Sequence, residues 1–166
     1  EKMAQQDVLL SPKILNKYER LKQRLASLGG AVIAYSGGVD STFLLRVAHD
    51  VLKDKVLAVV ASSLTYPERE VRLAIKLAKE MGVRVRLIKT KEMKNPSFLT
   101  NPPDRCYLCK RALLELLWEV ARSRGMGCVL EGSNASDLGE YRPGRRAVTE
   151  MGARSPLLEA GLTKGE

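Results

Sequence analysis

Ala31-Val32-Ile33-Ala34-Tyr35-Ser36-Gly37-Gly38-Val39-Asp40-Ser41 runs from an uninterrupted apolar stretch into a double-glycine turn. A short apolar run without alternation suits a strand buried on both faces, as in a parallel sheet covered by helices. Phe43, Leu44, Val47, Val51 and Leu52 then recur at helical spacing, so the turn opens a helix. Adjacent glycines let the backbone approach an anion closely. The amides from Gly37 to Ser41 are expected to converge at the positive end of that helix, a ready phosphate site. Ser36 and Ser41 add hydroxyl donors. Asp40 would repel phosphate unless it caps the helix or holds Mg²⁺. The Gly-Lys-Ser/Thr ending of one common phosphate loop is missing, and so is the Gly-x-Gly-x-x-Gly of dinucleotide folds. The plain alternative is a tight strand–helix turn with a capping aspartate.

The same alternation extends in both directions. Upstream, Ser11-Pro12 offers a cap and a first helical position, and Ile14, Leu15, Tyr18, Leu21, Leu25 and Leu28 mark one helical face. Downstream, Val56 to Ala61 is a second buried strand, followed by a helix that Pro67 opens and whose inner face is Val71, Ala74, Ile75 and Ala78. Val83, Val85 and Leu87 alternate with Arg84, Arg86 and Ile88, which predicts a strand nearer an edge. A polar loop, 91–104, leads to a helix carrying Leu113, Leu116, Leu117, Val120 and Ala121, and Cys128-Val129-Leu130 is a fourth strand. Beyond Glu131 the chain reads as loop-rich. This pattern predicts an α/β fold, a doubly wound parallel sheet with helices on both faces, with ligands outside the carboxyl ends of the strands. Residues 1–30 are assigned to an N-terminal helix and 31–166 to the nucleotide-binding domain.

Composition fits one ordinary globular domain: of 166 residues, 45% are hydrophobic, 28% charged and only 5% aromatic. The net charge of +9 points to an anionic partner or merely to solubility. No apolar run is long enough to cross a bilayer and no signal peptide is visible, so a cytoplasmic protein that does not engage a membrane is expected. Cys106 and Cys109 stand two residues apart at the start of a helix, a spacing that reads as metal-binding or redox. Zinc would need further ligands, for which Cys128 and His49 are the candidates. A three-cysteine iron–sulfur cluster would need one more thiolate. A pair of reduced thiols is the plain reading. Cys128 itself reads as a small buried hydrophobe, His49 as a helix-packing or surface residue, and Trp118 as a packing anchor.

Ser36 to Ser41 resembles the pyrophosphate loop (PP-loop) of the N-type ATP pyrophosphatases, which include the ATPase domains of NAD and GMP synthetases and the tRNA thiolation enzymes. Asn101-Pro102-Pro103-Asp104-Arg105-Cys106-Tyr107-Leu108-Cys109-Lys110, Glu131-Gly132-Ser133-Asn134-Ala135-Ser136-Asp137 and Tyr141-Arg142-Pro143-Gly144 follow in order. So do Arg154-Ser155-Pro156-Leu157 and Glu159-Ala160-Gly161-Leu162-Thr163-Lys164. With the loop they are similar to the LarE family, ATP-dependent sacrificial sulfur transferases of nickel-pincer nucleotide synthesis. The resemblance implies that a carboxylate on a pyridinium mononucleotide is adenylated with release of pyrophosphate and then converted to a thiocarboxylate. ATP, Mg²⁺ and, in the complete protein, an iron–sulfur cluster are the implied cofactors.

Residue by residue, Ser36, Asp40 and Ser41 are expected to be catalytic. Ser36, Gly37, Gly38, Val39, Asp40, Ser41, Ser62 and Gly132 are expected to bind the nucleotide. Asn134, Asp137 and Arg142 are assigned to the substrate, with polar capping of a turn as the alternative for the first two. Arg145, Arg146 and Arg154 join Arg142 in the densest basic group. Cys106 and Cys109 would ligate the cluster, with the third ligand outside this chain. The family's downstream cysteine would lie beyond Glu166, so the chain looks C-terminally truncated, and sulfur delivery would depend on the absent region. The expected partner is a small anionic nucleotide, with a homo-oligomer at full length. tRNA ranks lower because no aromatics interleave the basic residues. The competing readings are a tRNA-thiolating enzyme of the same superfamily and a nucleotide-binding module made inactive by truncation.

Overall fold

The computed structural model describes residues 10–62, 66–90, 105–139 and 143–166. Helix α1 (Pro12–Ala26) starts where the sequence predicts, with the Ser11 hydroxyl accepting the Ile14 amide at 3.3 Å. Then follow β1 (Ala31–Ala34), α2 (Val39–Leu52), β2 (Val56–Ser62), α3 (Glu68–Glu80), β3 (Arg84–Lys89), α4 (Arg105–Ser123) and β4 (Val129–Leu130). The four strands are parallel and lie in the order β3-β2-β1-β4. The strand order therefore reverses beside β1, and the crevice at that switch point is where α/β sheets bind ligands.

Both faces of the sheet are buried at β1, β2 and β4, which is why those strands lack polar alternation. Ala31, Ile33, Val56, Ala58 and Val60 pack toward Leu21 and Leu25 of α1, Leu44 and Leu45 of α2, and Ala74 and Ala78 of α3. Val32, Leu57, Val59 and Val129 pack on the other face with Leu114, Leu117, Val120 and Ala121 of α4. Trp118 anchors that face as expected, donating its indole N–H to the Met151 carbonyl at 2.8 Å.

The expectation that β3 lies near an edge holds, and one about the region after Glu131 needs correction. Leu87 is 46% exposed, while Val85 and Ile88 pack against opposite core faces. β3 is an edge strand, so its inward face is only partly covered. The region after Glu131 is also more ordered than a loop. It holds a 3₁₀ turn (Ala135–Gly139), α5 (Pro143–Glu150) and α6 (Pro156–Glu159), and Arg154 bridges in parallel to Leu130 at the end of the sheet. Each element is one or two turns long, too short to display a helical period. The loop 91–104 lies outside the described residues, and among those described no helix is long and apolar enough to cross a membrane.

Leu117 is fully buried between α4 and the sheet. Leu117→Ala should cost about 2–5 kcal/mol in denaturant unfolding, whereas Leu87→Ala should stay within about 0.5 kcal/mol of the parent.

Candidate functional site

The carboxyl ends of β1, β2 and β4 open into a cavity of about 750 Å³. Its walls include Tyr35, Ser36, Gly38 to Ser41, Ala61, Tyr66, Glu70, Lys110, Glu131 to Asn134, Asp137 and Lys164. A nucleotide fits a space of this order.

The loop from Ser36 to Ser41 is held by its own hydroxyls. Ser36 Oγ lies 3.1 Å from Ser41 Oγ and accepts the Gly38 amide at 3.3 Å, while the Ser36 amide donates to Ser41 Oγ at 3.3 Å. The first helical bond of α2 is Thr42 N–H to the Gly38 carbonyl, at 2.9 Å. The amides of Val39, Asp40 and Ser41 therefore precede the helical ladder and lie at its positive end. Gly37 sits at φ +83°, and a Cβ there would lie 3.2 Å from the Ala74 Cβ of α3. That backbone is available to glycine at little cost, and the close backing fixes the loop against the sheet.

Asp40 does not cap α2, whose N-cap is Gly38 without a side-chain bond. Its carboxylate instead accepts from Lys164 Nζ at 2.7 Å. Gly132 lines the cavity and also makes a close approach within the fold. A Cβ at 132 would come within 3.1 Å of the Ser41 amide nitrogen and 3.2 Å of its Cα. The approach is to the phosphate loop itself. Asn134 and Asp137 line the cavity and also cap the 3₁₀ turn: the Asn134 amide donates to Asp137 Oδ2 and Asn134 Oδ1 accepts the Ser136 amide, both at 2.9 Å. At the end of β2 the cavity wall is Val59, Val60 and Ala61, not Ser62. The Ser62 carbonyl is engaged by the Thr90 amide at 2.9 Å.

Sequence reasoning does not single out Glu131, Lys110 or Lys164. Glu131 is 4% exposed and lies directly after β4. Its carboxylate accepts the Ser155 hydroxyl, the Ser133 hydroxyl at 2.8 Å and the Ser133 amide at 3.2 Å. Lys110 Nζ stands 3.9 Å away, contributed by α4 from the opposite face of the sheet. The available signal is positional: Glu131 ends a buried strand at the ligand edge. Lys164 closes one of the quoted segments.

The arginines divide. Arg154 is engaged by Glu159 at 3.1 Å, and Arg146 lies 4.1 Å above the Tyr107 ring and 3.6 Å from Glu150. Arg145 keeps a buried Nη1 with no hydrogen-bond partner among the described residues. Arg142 lies outside them. Tyr107 donates to Glu150 and accepts from Arg111 at 2.9 Å, which raises the Arg111 guanidinium above its usual value.

Cys109 is half-buried on the first turns of α4, and the Cys106 side chain lies outside the described residues. Cys128 packs into the core on the face opposite α4, away from that pair. His49 Nδ1 lies 3.0 Å from the Lys53 carbonyl at the end of α2, also on that opposite face. Among the described residues no three His, Cys, Asp or Glu side chains converge on a metal position.

The sheet, its switch-point cavity and the glycine loop define a nucleotide-binding α/β domain. The chain belongs to the NAD synthase family, whose model matches residues 14–115. The pyridinium-3,5-bisthiocarboxylic acid mononucleotide synthase of Lactiplantibacillus plantarum is 37% identical over 152 residues, covering 91% of this chain and 55% of that protein. This agrees with the LarE resemblance read from the motifs. The chain spans between 55% and 57% of the length of the first curated relatives it matches. The NH3-dependent NAD synthetase of Campylobacter jejuni shares the fold at a TM-score of 0.64 and 15% identity, over 90% of this chain and 78% of that one. The U34-tRNA thiolase NcsA of Methanococcus maripaludis, solved with its [4Fe-4S] cluster, does so at 0.61 and 18%, over 76% and 47%.

Gly132→Ala should push the strand exit off the phosphate loop and weaken Mg·ATP binding about tenfold or more by calorimetry. Gly127→Ala, where an added Cβ meets nothing within 4 Å, should bind as the parent does.

Proposed function

We propose that this chain is the nucleotide-activating part of an ATP-dependent sulfur transferase, adenylating a carboxylate on a pyridinium mononucleotide and releasing pyrophosphate. The observation that carries the reading is the pairing of two walls in one cavity. The Ser36–Ser41 loop presents amides and hydroxyls from one sheet face, and Lys110 beside Glu131 presents a held ammonium from the other. The 37% identity to a synthase of pyridinium mononucleotide thiocarboxylates supports the substrate class.

In this reading a substrate carboxylate oxygen attacks the α-phosphorus of ATP as the bond to the bridging oxygen of pyrophosphate breaks. The leaving pyrophosphate takes the first-turn amides of α2 and the hydroxyls of Ser36 and Ser41, donors already fixed where its charge develops. Lys110, oriented by Glu131, faces the incoming carboxylate. Asn134 and Asp137 hold the nucleotide or substrate against the β4 exit, and Gly132 lets that exit sit on the loop.

The donor set fits Mg²⁺, which takes one or two carboxylates and completes its shell with phosphates and water. Asp40 and Asp137 are the cavity carboxylates suited to it, and bound Mg²⁺ would neutralise phosphate charge. Cys106 and Cys109, three positions apart on one helix, fit two thiolate ligands of an iron–sulfur cluster whose third ligand comes from outside this chain. A thiolase of the same fold that carries a [4Fe-4S] cluster supports this assignment.

Mg·ATP offered with a pyridinium-3,5-dicarboxylate mononucleotide, and separately with bulk tRNA, should release pyrophosphate only in the first case. Release with tRNA alone overturns the substrate assignment, and nucleotide binding without turnover in either case favours a non-catalytic module. Anaerobic reconstitution with iron and sulfide should give a brown species that Cys106→Ala loses. An unchanged spectrum in that variant removes the cluster.

A further inference from the structure

Residues 161–166 form a strap that joins three parts of the molecule. Its backbone is fixed to the 3₁₀ turn: the Ala135 amide donates to the Leu162 carbonyl at 2.7 Å, and the Lys164 amide to Ser136 Oγ at 3.1 Å. Its side chains then diverge. Lys164 reaches Asp40 in the phosphate loop at 2.7 Å. Glu166 turns back to accept from Lys17 of α1 through both carboxylate oxygens, at 2.7 and 3.0 Å. The Thr163 hydroxyl adds a bond to the same carboxylate at 2.8 Å, and the Glu166 amide returns one to the Thr163 carbonyl at 3.1 Å.

We propose that Lys17 and Glu166 are positioning residues for the nucleotide site: their ion pair fixes the strap so that Lys164 stands over the phosphate loop beside Asp40. The pair is better shielded than an ordinary surface bridge, with side-chain exposures of 15% and 17%. The pairs along the helices are more open, from Lys22–Glu19 at 35% and 59% to Arg72–Glu68 at 76% and 78%. Lys17 and then Thr163 hold the Glu166 carboxyl below its usual range, as expected of a carboxylate engaged in the fold. Lys164 itself is 60% exposed, so its direction depends on the strap backbone as well as on Asp40. Through this relay α1, which contributes no residue to the described cavity wall, helps set the position of a side chain at the phosphate loop.

The inference rests on the reading of the cavity as a Mg·ATP site, and calorimetry of Mg·ATP binding separates the two. If the parent chain binds no Mg·ATP, that reading fails and the relay with it. With binding established, Lys17→Met should weaken it about two- to fivefold, the range of a partly shielded ion pair. Lys164→Met should weaken it at least as much, and the double variant should be no worse than Lys164→Met alone, since Lys17 acts only through Lys164. The exchange Lys17→Glu with Glu166→Lys should restore affinity. Lys22→Met, on the same helix, where Lys22 pairs with Glu19 and stands over the Tyr18 ring, controls for general loss of α1 stability. Unchanged affinity in Lys17→Met overturns the relay. So do additive losses in the double variant, or equal losses in Lys22→Met.

Discussion

Residue 132 has no side chain, and that allows the exit of β4 to rest on the backbone of Ser41. A phosphate loop of this kind has little packing of its own, because its amides must stay available to a ligand. Its shape has to be imposed by neighbours. A Cβ at 37 would lie 3.2 Å from the Ala74 Cβ of α3, and one at 132 would lie 3.1 Å from the Ser41 amide nitrogen, so both neighbours approach the loop too closely for a side chain there. Two elements distant in sequence thus hold one short turn between them, and the serine hydroxyls at 3.1 Å complete the internal bracing. Preorganisation of this sort is what lets fixed donors stabilise developing charge without reorganising during the reaction.

The same strand exit carries the most buried charge of the cavity. Glu131 at 4% exposure would be costly if its carboxylate stood alone. Three donors from Ser133 and Ser155 satisfy it, and Lys110 lies within ion-pair reach. Removing one partner of such a cluster costs more than the bond it makes, because the remaining carboxylate is then under-solvated. Ser155 follows the Arg154 bridge onto β4, and Lys110 belongs to α4. The carboxylate therefore fixes the register of three elements at the point where the cavity opens.

What was legible in the sequence was local. The buried strand, the paired glycines and the helix after them occupy one short stretch, so their joint geometry follows from backbone rules alone. Strand order, two-faced burial and the place of the cavity then follow from βαβ topology. What was not legible depends on contacts far apart along the chain. Lys164 and Asp40 are separated by 124 positions, and Ser155 and Glu131 by 24. No periodicity or spacing encodes such a pair. Asp40 illustrates the difference: its place in the loop suggests a cap, which α2 does not take from it, and gives no sign of the lysine that the fold brings to it. Ser62 fails for a related reason, since the edge of a strand reads the same whether its last residue faces the cavity or its neighbour does.

The charge of the whole chain also proves a poor guide to the charge of the site. A net +9 suggests that an anionic ligand is drawn to a basic cavity. The described walls are instead acidic in balance, with Asp40, Glu70, Glu131 and Asp137 against Lys110 and Lys164. Two of those carboxylates already engage the two lysines, which leaves little side-chain charge to attract a polyphosphate. The first-turn amides of α2 add a dipole that is worth only a fraction of an elementary charge. In the function proposed above, a divalent cation arriving with ATP would turn these carboxylates from a repulsion into ligands.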